Sequence, residues 1–382
     1  MTPGGNVVAI WRSVLLPGSE TFIRGQADAL TRWRPAFLGA TRFDSALARD
    51  TDVTPRGRLA FRWLRLTGGS SRIRKLLAGL HASVVHAHFA GDGWLISRSA
   101  VRLGIPLVIT LHGQDVTRQP SAPGLRGRRY RRNLRTAFDR ATLILAVSEF
   151  IRQRAIALGA DPAKVRVHHT GVPAPAVEPA AKVWDVLFVG RFVEKKGIDD
   201  LIEALGTIRE PQPRALFIGT GPLADPIRKR AAELGLDATF RGAQDSSAVA
   251  TSMAESKIFA SPSKTASNGD SEGLPTTIVE AARLGVPAVS TYHSGIPEAV
   301  VPGETGLLCA EGDRAALAAN IRRLLTDDDL RTRLGDQARR RADERFDLAT
   351  QTRLLEDWYD SVASPPTASR DRPTRPVQPP RR

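Results

Sequence analysis

Short apolar runs recur along this chain in two successive series, with helical patterns between them. The first series occupies residues 7–10, 83–88, 106–112 and 142–148, and the second residues 186–190, 215–219, 257–261 and 288–291. Each run enters a polar or glycine-containing turn, as strands of a parallel sheet buried on both faces do. The helical patterns fall at residues 93–103 and 128–137 in the first series, and at 197–205, 223–234, 274–284 and 314–325 in the second. Such alternation implies an α/β architecture with helices on both sheet faces. At 382 residues the chain exceeds the ~250–300 at which single cores stop growing. The expected fold is therefore two doubly wound, Rossmann-like domains facing each other across a cleft.

A first domain is expected over residues 1–172 and a Pro-rich linker over 173–180. The second domain follows over 181–345, then a helix over 346–362 that carries Trp358 and Tyr359 and has room to cross back to the first domain. The tail, 363–382, is rich in Pro, Arg, Ser and Thr and is expected to be disordered.

The formal charge of +15 is unevenly spread. Residues 1–180 hold 27 Lys and Arg against 11 Asp and Glu, whereas residues 181–362 hold 23 against 28. An anionic partner for the first half alone follows, either nucleic acid or an anionic membrane surface. A general preference for Arg over Lys explains the excess but not the asymmetry. The run Arg126-Gly127-Arg128-Arg129-Tyr130-Arg131-Arg132, with Arg135, makes a basic helix face. As a bland reading it is solvated; as a functional one it docks on anionic lipid, which is the reading adopted. No run approaches the ~18 apolar residues of a membrane span, and the opening Val7–Ile10 run reads as a buried strand rather than a signal peptide. The single cysteine, Cys309, has no partner for an internal disulfide, and the seven histidines lack zinc-like spacing. A reducing compartment is implied.

In an open parallel sheet the ligand sits beyond the carboxyl ends of the strands. The run at 186–190 leads into Arg191-Phe192-Val193-Glu194-Lys195-Lys196-Gly197, where a guanidinium and an ammonium near a helix start form a natural diphosphate clamp. The run at 257–261 leads to Asp270-Ser271-Glu272-Gly273-Leu274-Pro275-Thr276-Thr277. Pro275 suits the first helical turn, and the free N–H groups of residues 274–277 then face an anion. Glu280 lies further along that helix, where a sugar or ribose with adjacent hydroxyls would satisfy it. Taken alone, the basic loop is equally a solvated surface and Glu280 an ordinary helix carboxylate. In the first half, His112-Gly113-Gln114-Asp115 ends a buried strand, with Asp115 read as orienting the loop.

These segments, in this order and spacing, resemble the donor site of retaining family-4 glycosyltransferases. Further matching segments are Gly219-Thr220-Gly221-Pro222-Leu223, Phe240-Arg241-Gly242, Ser290-Thr291-Tyr292-His293-Ser294-Gly295-Ile296-Pro297-Glu298 and Gly303-Glu304-Thr305-Gly306-Leu307-Leu308. Together they span about residues 185–345. Within the family, the 270–275 loop and the 293–298 segment look most like enzymes that assemble colanic acid, amylovoran and related exopolysaccharides. The resemblance implies a GT-B fold and a nucleotide-sugar donor, with UDP and GDP both open.

Carried over by position, the resemblance makes Arg191 and Lys196 the groups that neutralise the departing diphosphate, with Lys195 an alternative. It gives Glu280 the ribose hydroxyls and Glu272 the donor sugar, and makes the main chain around Gly273, Leu274, Pro275 and Thr276 a phosphate or sugar contact. His112 would reach the donor sugar near its 6-hydroxyl, and His88 would lie on the acceptor side, with His86 in the core. Gly18, in Pro17-Gly18-Ser19-Glu20-Thr21-Phe22, would let its backbone approach the phosphate. Retention would proceed by attack from the face the diphosphate leaves. No metal or other cofactor is expected, because no convincing Asp-x-Asp stands at a strand end and Asp327-Asp328-Asp329 falls in a helix-to-helix turn. The implied acceptor is a glycan on a polyprenyl diphosphate, at the inner face of the cell membrane, reached by a cytoplasmic, peripheral protein with no nucleic-acid partner.

Three other readings stay open. Gly219-Thr220-Gly221-Pro222-Leu223-Ala224 superficially matches a dinucleotide loop, which would make the chain an NAD-dependent oxidoreductase. Net charge alone would suit a nucleic-acid-binding protein, although the basic residues lack the interleaved aromatics of single-strand binders. A related fold that phosphorylates or epimerises sugars is the third.

Overall fold

The computed structural model describes residues 6–364, apart from 19, 55–57 and 179. The expectation for the tail falls on residues outside this range from 365 onward.

Two six-stranded sheets form the frame. The first contains β1 (Val7–Trp11), β2 (Arg34–Leu38), β3 (Ala82–His88), β4 (Leu107–Leu111), β5 (Leu143–Ala146) and β6 (Val165–Val167), in the spatial order β2-β1-β3-β4-β5-β6. The second contains β7 (Trp184–Val189), β8 (Ala215–Ile218), β9 (Ala238–Phe240), β10 (Ser256–Ser261), β11 (Ala288–Thr291) and β12 (Gly306–Cys309), in the order β9-β8-β7-β10-β11-β12. Neighbours pair in parallel throughout both sheets. The GT-B expectation of two facing doubly wound units holds. The eight apolar runs read from the sequence are the eight inner strands. The four strands it did not reveal, β2, β6, β9 and β12, are the four sheet edges. An edge strand is covered on fewer sides, so its composition need not be continuously apolar. In β6 only one residue of three is fully buried, and in β9 none is.

The chain crosses between the halves twice, and the two crossings are tied together. Val172 donates its N–H to the Phe346 carbonyl at 2.8 Å and accepts from Leu348 N–H at 3.0 Å. Arg283, 7% exposed, donates to the Val172 carbonyl and pairs with Asp347 at 3.3 Å. After this second crossing, helix Leu348–Ala363 packs on the first sheet. Its Glu356 is fully buried and accepts the N–H groups of Thr31 at 2.7 Å and Arg32 at 2.6 Å. Its Tyr359 bonds His86 at 2.6 Å. A buried carboxylate persists only when donors surround it, so Glu356 fixes where this helix docks. Among the described residues, no helix is long and apolar enough to cross a membrane.

Candidate active site

Both sheets aim their carboxyl ends at one interdomain cleft of about 420 Å³. The loop after β4 supplies His112 and Gln114, the loop after β7 supplies Arg191, Lys195 and Lys196, and the loop after β10 supplies Asp270, Glu272 and Gly273. Leu274, Pro275, Thr276 and Thr277 complete the wall from the second half. This is where the strand order of each sheet places a ligand.

The basic loop is shaped by one close approach. A 3₁₀ turn spans Glu194–Lys196, and Gly197, at φ 62°, starts helix Ile198–Thr207. A Cβ on Gly197 would overlap the Pro262 carbonyl. The stem of Lys196 runs past the strand end at ordinary contact distance, 3.5 Å from the Cβ position of Gly190, and the lysine reaches the cleft. Its Nζ stands 3.1 Å from Glu272, while the Lys195 ammonium stands 3.4 Å from Asp270 and 3.9 Å from Glu272. Both lysines line the cleft, and the geometry assigns the nearer contact with Glu272 to Lys196. Burial acts to raise the Glu272 carboxyl, but the two ammoniums hold it below the usual carboxylate range. Glu272 is therefore charged at neutral pH.

Helix Thr276–Arg283 has Pro275 as its N-cap, so regular helix begins two residues after the predicted 274. Its first N–H groups lack intrahelical acceptors and stand at the cleft wall. The Thr277 hydroxyl is buried there without a protein partner. Glu280 lies one turn behind and bonds Thr276, and burial raises its carboxyl. It is close enough to feel Lys196 but does not itself line the cleft.

Across the cleft, His112 packs between Phe22 and Phe89 at ring-centroid distances of 4.9 and 4.6 Å. Burial, reinforced by the neighbouring His86 and Arg12, pushes its imidazole down to about 3. It is therefore neutral at neutral pH, a hydrogen-bonding group rather than a charge. Asp115 accepts N–H groups of Ala90, His112 and Gly113, which is the loop-orienting role read from the sequence. His88 is 2% exposed and hydrogen-bonds His112 at 3.0 Å, so it backs His112 instead of facing the cleft. His86 is wholly buried between Tyr359 and Thr110. Gly18 is exposed, has open space at its Cβ position and stands outside the cleft lining. The residues that helix Thr21–Asp28 brings to the cleft are Thr21 and Phe22.

The halves touch through glycines. A Cβ on Gly273 would overlap the His112 carbonyl, and one on Gly113 would lie 3.1 Å from Ser271 O and Gly273 N. The Gly273 carbonyl also accepts from Ser148 Oγ at 3.1 Å and from Gly295 N–H at 3.2 Å. Replacing Gly273 with Ala is expected to wedge this contact open and lower kcat at least tenfold with little change in KM for the donor; wild-type steady-state kinetics in the variant would contradict that expectation.

Sequence reading gave no role to the group that holds Glu272 in place. His293 is 2% exposed; its Nε2 accepts the Glu272 N–H at 3.1 Å while its Nδ1 donates to Glu311 at 2.6 Å. The only signal was a His inside a matched segment, eighteen residues before its acidic partner.

The glycine pair 219 and 221 has a structural use. A Cβ on Gly219 would overlap the Gly190 carbonyl, and one on Gly221 the Phe192 carbonyl. The pair also follows β8, not the central β7 where a dinucleotide loop belongs. It packs the Arg191 loop, which removes the feature on which the dehydrogenase reading rested. Among the described residues, no group of three or more His, Cys, Asp and Glu is placed to hold a metal ion.

Residues 18–174 match the family described as Glycosyltransferase Family 4, and residues 175–341 match Glycosyl transferases group 1. The chain belongs to this glycosyltransferase family. It is 30% identical over 252 residues to WcaL of Salmonella typhimurium, named for colanic acid biosynthesis, a match covering 63% of this chain and 61% of that protein. It is also 30% identical over 256 residues to the amylovoran biosynthesis glycosyltransferase AmsK of Erwinia amylovora, covering 64% and 61%. The chain thus aligns with somewhat under two thirds of the length of these relatives. Among solved structures, sucrose-phosphate synthase of Thermosynechococcus elongatus superposes with a TM-score of 0.76 at 19% identity, over 93% of this chain and 98% of that one. Anabaena HepE in complex with UDP-glucose superposes at 0.74 and 20% identity, over 93% and 99%. At these identities the superpositions speak for the GT-B fold alone.

Proposed function

We propose that this glycosyltransferase moves a hexosyl group from a UDP- or GDP-sugar to a lipid-linked glycan in exopolysaccharide or cell-envelope polysaccharide assembly, with retention of anomeric configuration and without a metal ion. One observation carries the reading. Lys196 and Arg191, the head of helix Thr276–Arg283 and the Glu272 carboxylate share a cleft with the neutral His112 of the opposite half.

A departing nucleotide diphosphate develops negative charge, and preorganised cations and amides oriented at that charge lower the barrier. In the free chain Glu272 holds the Lys196 ammonium. A bound diphosphate competes for that ammonium and leaves the Glu272 carboxylate to accept donor-sugar hydroxyls. Neutral His112 hydrogen-bonds the sugar from the other side without adding a charge that would oppose an oxocarbenium-like centre. Glu280, one turn behind the cleft wall and bonded to Thr276, is the carboxylate offered to the paired hydroxyls of ribose once the nucleotide is seated. Because lysines already neutralise Asp270 and Glu272, the site compensates diphosphate charge with side chains and not with a divalent ion. WcaL and AmsK, named for exopolysaccharide synthesis, support the pathway class, and the HepE complex with UDP-glucose supports the donor class.

Incubating the whole chain with a panel of UDP- and GDP-sugars, with and without EDTA, tests this directly. Turnover of one donor is expected, insensitive to EDTA, and proton NMR should show the donor's anomeric configuration kept in the first-formed product. Absence of both turnover and nucleotide binding across the panel would overturn the proposal.

A further inference from the structure

Glu272 is held by its main chain as well as by its lysine partners, and the holder is the turn after β11. That turn grips the segment twice. His293 Nε2 meets the Glu272 N–H at 3.1 Å, and the Gly295 N–H meets the Gly273 carbonyl at 3.2 Å. Between the two grips Ser294 sits at φ 50°, a left-handed backbone that residues other than glycine rarely adopt. Backbone held in such a region is concentrated at functional sites.

Hydrogen-bond valence places the imidazole proton. A main-chain N–H can only donate, so His293 Nε2 is bare and the ring proton is on Nδ1. That Nδ1–H donates to Glu311 Oε1 at 2.6 Å, and the Thr265 N–H donates to Glu311 Oε2 at 2.8 Å. Glu311 thus faces two donors, which a carboxylate satisfies and an amide of the same shape does not. Burial acts to raise the Glu311 carboxyl, but these two bonds hold it below the usual carboxylate range. Thr265 opens the stretch that brings Ala266, Asn268 and Asp270 to the cleft. Glu194 accepts both the N–H and the hydroxyl of Ser267 at 2.8 Å, which ties the same stretch to the basic loop. One carboxylate therefore anchors the cleft wall and, through one imidazole, the segment that carries Glu272.

We propose that His293 and Glu311 are positioning residues for sugar transfer. Glu311 keeps the His293 proton on Nδ1, and the bare Nε2 fixes the Glu272 main chain so that its carboxylate is presented to the donor sugar. Neither residue lines the cleft itself, so both act through Glu272. The pair governs the sugar end of the donor and leaves the diphosphate end, at Arg191 and Lys196, unaltered. This rests on the reading of Glu272 as the donor-sugar contact.

Comparing His293→Gln with His293→Asn tests the pair. A glutamine amide oxygen reaches the place of Nε2 and accepts the Glu272 N–H. An asparagine amide replaces Nδ1 against Glu311 and leaves the Glu272 N–H unmet. His293→Asn and Glu311→Gln are expected to lower kcat, with the donor that the parent turns over, about a hundredfold, the loss that a misplacement of about 1 Å produces. His293→Gln should stay within about tenfold of the parent. Dissociation constants for UDP and GDP should move less than about threefold in all three variants, because neither nucleotide carries the sugar. Thermal melts check that each variant is folded. Undiminished turnover in His293→Asn, equal losses in the Gln and Asn variants, or nucleotide affinity falling in step with kcat would each overturn the proposal. Nitrogen NMR of the histidine-labelled parent, with the His293 signal assigned by its absence from either His293 variant, should show Nδ1 protonated and Nε2 bare. The reverse tautomer would also overturn the proposal, and this readout needs no variant to be active. A parent that binds neither UDP nor GDP fails the donor reading instead, while the tautomer still reports on the pair, so the two failures are distinguishable.

Discussion

Lys196→Ala is expected to reduce kcat for sugar transfer by about a hundred- to a thousandfold, the range for removing one preorganised group that meets developing charge. The effect has two sources. The departing diphosphate loses its ammonium, and Glu272, about 10% exposed in its side chain, loses the cation 3.1 Å away. Breaking a mostly buried pair by deleting one partner leaves an uncompensated charge, so Glu272 should also rise towards its protonated form and accept sugar hydroxyls poorly. Lys195→Ala should be milder, within about tenfold, because its nearest partner is Asp270 and Lys196 remains. Single-turnover kinetics with saturating donor separate the two variants. Equal losses, or a larger loss at Lys195, would show that the adjacent lysine is the one that meets the diphosphate.

Acid should take this protein apart cooperatively, below about pH 6. His86, His88, His112 and His168 are all held neutral by burial, with His112 pushed down to about 3 and His168 to about 4. In the unfolded chain each binds its proton near the ordinary 6.5. Below that value the unfolded state holds more protons than the folded one, so stability falls as pH falls. Each histidine contributes a loss of up to about 1.4 kcal/mol per pH unit below its unfolded value while its folded form stays neutral, so four acting together remove a sizeable share of the ~5–15 kcal/mol stability of a whole domain. Asp115 and Glu280 are raised by burial and act in the opposite sense, but they are two groups against four. Near-UV circular dichroism against pH should show a cooperative loss that sets in as pH falls below about 6. A signal flat to pH 4.5 would mean that these imidazoles are not buried neutral.

The two-sheet frame was legible because inner strands of a parallel sheet must be apolar along their whole length. The edges were not, since β6 and β9 earn their places through backbone pairing and little side-chain burial. Arg191, Lys196, Glu272 and the 273–276 wall were legible because strand-end loops are where such a sheet places its ligand. His88 and Gly18 were assigned by position in a motif, and motif position does not say which way a side chain faces. In the chain, His88 stacks with His86 and His112 in a buried row, at ring distances of 4.4 and 5.3 Å. The His293–Glu311 support is tertiary, linking the end of one strand to the end of the next, and no local pattern encodes it.

The proposed function depends most on Arg191 and Lys196 meeting one nucleotide diphosphate between the two halves. Isothermal titration of the whole chain with UDP and GDP, in the parent and with both residues changed to Ala, measures that directly. Saturable binding of at least one nucleotide, weakened at least a hundredfold in the double variant while its melt stays that of a folded protein, is the predicted result. Undiminished affinity in a folded double variant would contradict it.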